Sequence, residues 1–191
     1  MAKVNITIDG RPFEVESGLT IMEAARQCGY EIPSLCTYNH GECNQGSCRV
    51  CLVEVEGARG LVASCVYPIN DGMNIKISSP KAVEARRKSV ELLLSNHSVY
   101  CQQCDKNGHC ELLYVAQLTG ARENAFAGEK TETFYDDITP AIVRDTSKCI
   151  LCGRCIARCQ NAHGMGILGF ENRGFKTFVS PAENRSFANS P

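Results

Sequence analysis

Residues 3–8 read Lys-Val-Asn-Ile-Thr-Ile, an apolar–polar alternation that predicts a half-buried strand. Asp9-Gly10 is a two-residue hairpin turn, and Pro12–Val15 is the return strand. Thr20-Ile21-Met22-Glu23 has the form of a capping box, in which hydroxyl and carboxylate each satisfy a free backbone donor. The helix it opens runs to about Cys28, with Gly29 as its stop. Glu31–Gly46 has no period and reads as loop. Val50–Val55 and Leu61–Ser64 read as strands, and Asp71-Gly72 turns the chain into a last strand, Asn74–Ile77. Residues 1–78 are therefore expected to form a compact α+β unit.

A second segment, residues 79–120, begins at Ser79-Pro80, a helix N-cap followed by proline in the first turn. Its helix ends near Ser95 and carries Val83, Val90, Leu93 and Leu94 roughly on one face. A short helix over Glu111–Leu118 stops at Thr119-Gly120. Residues 121–137 are polar and irregular and read as a linker, and a third segment covers 138–191.

Composition narrows the class. The chain is 43% hydrophobic and 21% charged with a formal net charge of −1, a globular balance without the positive field that nucleic acid requires. Apolar runs such as Leu92–Leu94 are too short for a membrane span, and Met1–Thr7 has no signal-peptide core, so a cytoplasmic protein is expected. Thirteen cysteines in that compartment argue for metal ligation rather than disulfides.

Eleven of the thirteen, with one histidine, fall into three groups. The first is Cys36-x11-Cys48-x2-Cys51-x13-Cys65. A Cys-x2-Cys step turns two thiolates toward one iron, and small Gly46 and Ser47 allow close backbone approach. Cys43-x4-Cys48-x2-Cys51 also matches a plant-type spacing, though the fourth ligand would then lie beyond Cys65; Cys36 is favoured, with Cys43 a spare thiol nearby. A structural zinc site is the competing account. The second group is His97-x3-Cys101-x2-Cys104-x5-Cys110, which alone fits zinc or a 4Fe–4S cluster equally; its place between two iron–sulfur patterns favours iron. His109 is a rival ligand that reads better as a surface loop residue. The third is Cys149-x2-Cys152-x2-Cys155-x3-Cys159, the bacterial ferredoxin run, whose fourth cysteine serves a different cluster from the first three.

Gly164-Met-Gly-Ile-Leu-Gly169 fits a dinucleotide fingerprint in letters only, since no strand leads into it and no convincing helix follows. Cys28 lies on the helix face of Ile21, Ala24 and Ala25 and reads as a core residue. No catalytic residues are evident.

In order and spacing these motifs resemble the N-terminal iron–sulfur region of iron-only (FeFe) hydrogenases, the large iron–sulfur subunit of complex I, and the small diaphorase subunit of NAD-linked hydrogenases. Cys48-Arg-Val-Cys51-Leu-Val-Glu-Val-Glu-Gly57 and Lys148-Cys-Ile-Leu-Cys-Gly-Arg-Cys155 carry the likeness, which spans essentially the whole chain. The resemblance implies a β-grasp, 2Fe–2S ferredoxin-like fold for the first segment, followed by a small helical His/Cys domain and a partial bacterial-ferredoxin-like segment. It assigns Cys36, Cys48, Cys51 and Cys65 to a 2Fe–2S cluster, and His97, Cys101, Cys104 and Cys110 to a 4Fe–4S cluster. It further implies that Cys149, Cys152 and Cys155 share a 4Fe–4S cluster with a later cysteine. Hydrogenase-type relatives continue into a second cysteine run whose cluster Cys159 would join. The chain stops at Pro191, about where that run is expected, so it reads as part of a longer polypeptide.

The implied role is an electron-transfer subunit of a multisubunit NAD(P)-linked oxidoreductase, hydrogenase-type or electron-bifurcating, with a flavin/NAD(P)-binding subunit and another redox subunit as partners. The alternatives are the electron-relay part of a catalytic FeFe hydrogenase and a zinc-stabilised interaction module.

Overall fold

The computed structural model describes residues 2–38, 43, 45–98 and 100–189. The predicted loop 31–46 thus lies partly outside the described residues. Strands β1 (Lys3–Ile8), β2 (Arg11–Glu16), β3 (Leu52–Val55), β4 (Val62–Ala63) and β5 (Met73–Lys76) form one mixed sheet in the order β2-β1-β5-β3-β4. β1 and β5 run parallel, with Ile8 beside Ile75, and the other pairs are antiparallel. The hairpin turn is carried by Asp9 and Gly10, both at positive φ, the geometry whose twist matches the strands it joins. Asp9 also accepts from the Ile77 amide at 2.8 Å, which fixes the end of β5 against the same turn.

Helix α1 (Ile21–Gln27) opens on the expected capping box. The Glu23 amide donates to Thr20 Oγ1 at 3.3 Å, and the Thr20 amide donates to Glu23 Oε2 at 2.8 Å. Ile21, Met22, Ala24 and Ala25 pack into a core with Ile6, Ile8, Val53, Val55 and Ile75, and Cys28 lies against it.

Helix α2 (Pro80–Asn96) is capped by Ser79 and buries Ala82, Arg86, Val90, Glu91 and Leu94. Val83, expected on that face, is 48% exposed. The stripe is instead phased through Ala82 and Arg86, because the Arg86 guanidinium reaches two carbonyls of the sheet domain and turns the helix to do so. Helix α3 (Glu111–Thr119) ends at Gly120 in the left-handed conformation and packs on α2.

The polar stretch after α3 is tied to its surroundings. The Thr131 amide donates to Asn96 Oδ1 at 2.8 Å, Thr131 Oγ1 donates to the Phe175 carbonyl at 3.1 Å, and the Arg122 amide donates to Glu91 Oε1 at 3.3 Å. Strands β6 (Tyr135–Asp136) and β7 (Arg144–Asp145) pair, helix α4 (Arg154–Ala157) lies within the third cysteine run and carries Cys155, and β8 (Leu168–Glu171) pairs with β9 (Phe178–Pro181). Gly164 and Gly166 lie between a π-helical turn and β8, with no strand leading in.

A second core joins the three segments. It holds Leu35, Cys36, Cys48 and Val50 from the first and Val90, Leu94, Leu112, Val115 and Ala116 from the second, with the half-buried Cys110 of the second and Ile150 and Cys152 of the third packed against it.

Candidate metal centre

The first cysteine group lies where the sheet domain meets α2. Cys36 follows α1 in a loop, Cys48 and Cys51 flank a turn that enters β3, and Cys65 follows β4. That turn holds Arg49 at φ +56° and Gly46 at φ +60°, a left-handed backbone that glycine adopts at least cost; a Cβ at position 46 would make only ordinary contact with Val66. All four thiols are buried.

Cys51 Sγ lies 3.4 Å from Cys65 Sγ, and the Leu35 amide donates to Cys48 Sγ at 3.4 Å. Thiol contacts with Cys48 and Cys65, with the Ser47 and Cys48 amides adding to them, hold Cys36 far below the ordinary thiol range. Contact with Cys65 lowers Cys51 to about 6, while Cys48 and Cys65 are pushed up by the same contacts and by burial. The four thus form one linked set, with Cys36 touching both Cys48 and Cys65 and Cys65 also touching Cys51. Four adjoining thiols, buried and served by backbone N–H groups, are a donor set that fits an iron–sulfur centre. Cys43 is also buried; its thiol is raised by burial and by the charges of Cys36 and Cys152.

The second group converges in part. His97 caps the C-terminus of α2, and Cys110 caps the N-terminus of α3, accepting from the Leu113 amide at 3.4 Å. His97, Cys101 and Cys110 line one cleft of about 400 Å³ with Leu94, Leu112 and Ala116; Cys104 does not line it. His97 Nδ1 is buried without a hydrogen-bond partner, so the ring holds bonding capacity that the protein alone leaves unused. Burial, with Lys130 close by, pushes the His97 pKa down and keeps the imidazole neutral, the form that binds metal. This donor set fits a cluster with one histidine ligand. His109 is exposed, as expected of a loop residue.

In the third group, Leu151 at φ +54° and Gly153 at φ +74° bend the chain around its own sulfurs, and the Leu151 amide donates to Cys149 Sγ at 3.4 Å. Cys149 and Cys155 thiols are raised by burial and by their neighbouring cysteines within the group. Cys159 lies in the following π-helical turn, half-buried, its carbonyl accepting from the Met165 amide at 3.1 Å.

Two connections between the groups escaped the sequence reading. Arg154, between Cys152 and Cys155, pairs with Glu111 at 2.7 Å and lies 5.7 Å over the Tyr38 ring, so it touches all three segments. Gln45 covers Gly153 so closely that a Cβ there would fall 2.0 Å from its Oε1. The small residue between two cysteines was the available signal, but its partner is about a hundred residues away in the chain.

Residues 1–80 match the family described as "2Fe-2S iron-sulfur cluster binding domain", and residues 86–125 match "NADH-ubiquinone oxidoreductase-G iron-sulfur binding region". Over 194 aligned residues the chain is 41% identical to NADP-reducing hydrogenase subunit HndD of Solidesulfovibrio fructosivorans, covering 100% of this chain and 33% of that protein. It is 37% identical to the NADH-ubiquinone oxidoreductase 75 kDa subunit of Reclinomonas americana, covering 93% of this chain and 26% of that protein. The chain thus spans a third or less of these curated relatives. A chain in the crystal structure of an NAD+-reducing [NiFe]-hydrogenase in the H2-reduced state superposes with a TM-score of 0.86 at 30% identity, covering 95% of this chain and 76% of that one.

Proposed function

This chain belongs to the family of iron–sulfur subunits shared by NAD(P)-linked hydrogenases and complex I, and on that footing we propose that it relays single electrons between a flavin-bearing, NAD(P)-binding subunit and another redox centre of one multisubunit complex. The residues proposed to hold the centres are Cys36, Cys48, Cys51 and Cys65 for a 2Fe–2S cluster, and His97, Cys101, Cys104 and Cys110 for a 4Fe–4S cluster. Cys149, Cys152 and Cys155 would take a further 4Fe–4S cluster, and Cys159 would serve a neighbouring one. The segments proposed to carry them are the β-grasp unit 1–78, the His/Cys unit 79–120, the connecting stretch 121–137 and the ferredoxin-like segment 138–191. Bound there, such clusters accept and return one electron at a time.

The observation that supports this reading best is the shared core, an apolar cluster that includes Cys36 and Cys48 and has Cys110 and Cys152 packed against it. Electron exchange needs donors and acceptors held close by matter that does not rearrange. Val90 and Leu94 of α2 supply that packing, while Leu35, Leu113 and Leu151 each point an amide at a cysteine sulfur, one per group. Burial of the first four thiols keeps water from the metal. No helix among the described residues is long and apolar enough to cross a membrane; the cytoplasmic location is part of the proposal.

The match to HndD favours a second reading, in which these residues are the relay portion of a longer catalytic hydrogenase subunit. The intact mass of the native protein separates the two. Anaerobic purification with iron and acid-labile sulfide analysis tests both: about ten irons per chain with matching sulfide are expected when one 2Fe–2S and two 4Fe–4S sites fill. Zinc without sulfide would refute the assignment and leave a zinc-stabilised interaction module.

A further inference from the structure

Arg86 sits mid-way along α2 on the stripe that faces the sheet, only 8% exposed. Its Nε donates to the Leu52 carbonyl at 2.8 Å and its Nη2 to the Ile77 carbonyl at 2.5 Å. Both acceptors are neutral. They take two of the guanidinium's N–H groups without cancelling its charge, and a guanidinium withdrawn from water calls for a negative partner. Its field is shared with Cys51 and Asp9. Asp9 is already engaged by the amides of Ile77 and Ser78 and by the Ser78 hydroxyl. Cys51 is fully buried, sits directly before the residue whose carbonyl Arg86 grips, and touches Cys65.

We propose that Arg86 is the fixed counter-charge of the first centre and raises its reduction potential. The proposal rests on the reading of Cys36, Cys48, Cys51 and Cys65 as 2Fe–2S ligands. Reduction adds one electron and one unit of negative charge there, with no bond made or broken and no proton required. A guanidinium clamped between two carbonyls stabilises that added charge without having to move. His97, where the second group begins, lies eleven residues further along the helix, or about 16 Å at 1.5 Å per residue, so the effect falls chiefly on the first centre. Since α2 belongs to the second segment, the potential of the first centre is set by how that helix seats on the sheet.

The test uses the full chain, purified and reconstituted without oxygen, reduced stepwise with dithionite in the presence of redox dyes and read by EPR. The wild type must first show a 2Fe–2S signal; its absence refutes the ligand assignment rather than the role of Arg86. With the signal present, Arg86→Gln and Arg86→Met are expected to move its midpoint to lower potential with g-values unchanged and the 4Fe–4S midpoints in place. Arg86→Lys is expected to recover most of the shift. An unmoved midpoint, or equal shifts in the Gln and Lys variants, overturns the proposal in favour of a packing role. Should the neutral variants lose the cluster, Asp9→Asn removes the opposing anion and is expected to raise the same midpoint; no movement there overturns it too.

Discussion

Replacing Gly153 with alanine asks how far the third cysteine turn depends on one backbone conformation. Gly153 sits at φ +74° and ψ 2°, immediately before α4. An L-residue there costs about 1–2 kcal/mol from the crowding of Cβ against its own backbone. The new Cβ would also fall 2.0 Å from Gln45 Oε1, an impossible contact. That atom, however, ends a flexible side chain on the surface, so a rotation of Gln45 relieves the clash at small cost. The backbone therefore dominates, and Gly153→Ala is expected to destabilise the turn by about 1–2 kcal/mol, roughly a 5- to 30-fold change in its open population. The assay is anaerobic iron release to a chelator, followed at the EPR signal of the third group, which should accelerate by a similar factor because release follows local opening. Gln45→Ala alone should stay within about 0.5 kcal/mol of wild type, as for a surface change. Gln45→Ala combined with Gly153→Ala should recover only a few tenths of a kcal/mol, a weak coupling for residues in contact. Full recovery in the double variant would show that the clash, not the backbone, carries the cost. A neutral Gly153→Ala would refute the conformational reasoning outright.

His97→Cys exchanges a neutral ligand for an anionic one, so the midpoint of that cluster alone should fall in a redox titration; an unchanged midpoint would exclude His97 as a ligand. Cys36→Ser should abolish or strongly alter the 2Fe–2S signal while Cys43→Ser leaves it intact, and the opposite outcome would exchange their roles. Thr20→Ala removes the capping box of α1 and should cost about 1 kcal/mol, seen as a fall in Tm of about 2–4 °C.

Local signals carried most of the sheet domain. The Asp9-Gly10 turn, the Thr20–Glu23 box, the Ser79-Pro80 start and the Gly120 stop are each decided within a few residues, and their chemistry is visible in the letters. The spacing of the cysteine groups was legible for the same reason, since a turn that gathers two or three sulfurs must be short. What stayed hidden depends on partners distant in sequence. Val83 was expected inside because it is apolar, but Arg86, a charged residue, sets the phase of α2 by reaching carbonyls at Leu52 and Ile77. Val50 was expected in a strand and is instead buried just ahead of β3, in the core beside Cys48. The ties of the stretch after α3 were not visible in the letters because its anchors, Asn96 and Glu91, lie about thirty residues back. Arg154 gave no hint of Tyr38 or Glu111, because an ion pair and a ring contact leave no period in a sequence.

The apolar ground beneath the three cysteine groups cannot be divided among them. Severing the chain after residue 78 would strip Leu35 and Val50 of Val90, Leu94 and Val115, and would put greasy surface and reactive thiols into water together. Each piece would be stickier and easier to oxidise than the whole. Assembly is accordingly a collective event: the pocket for one centre is walled by residues that the others hold in place, and a lesion at any of them loosens its neighbours.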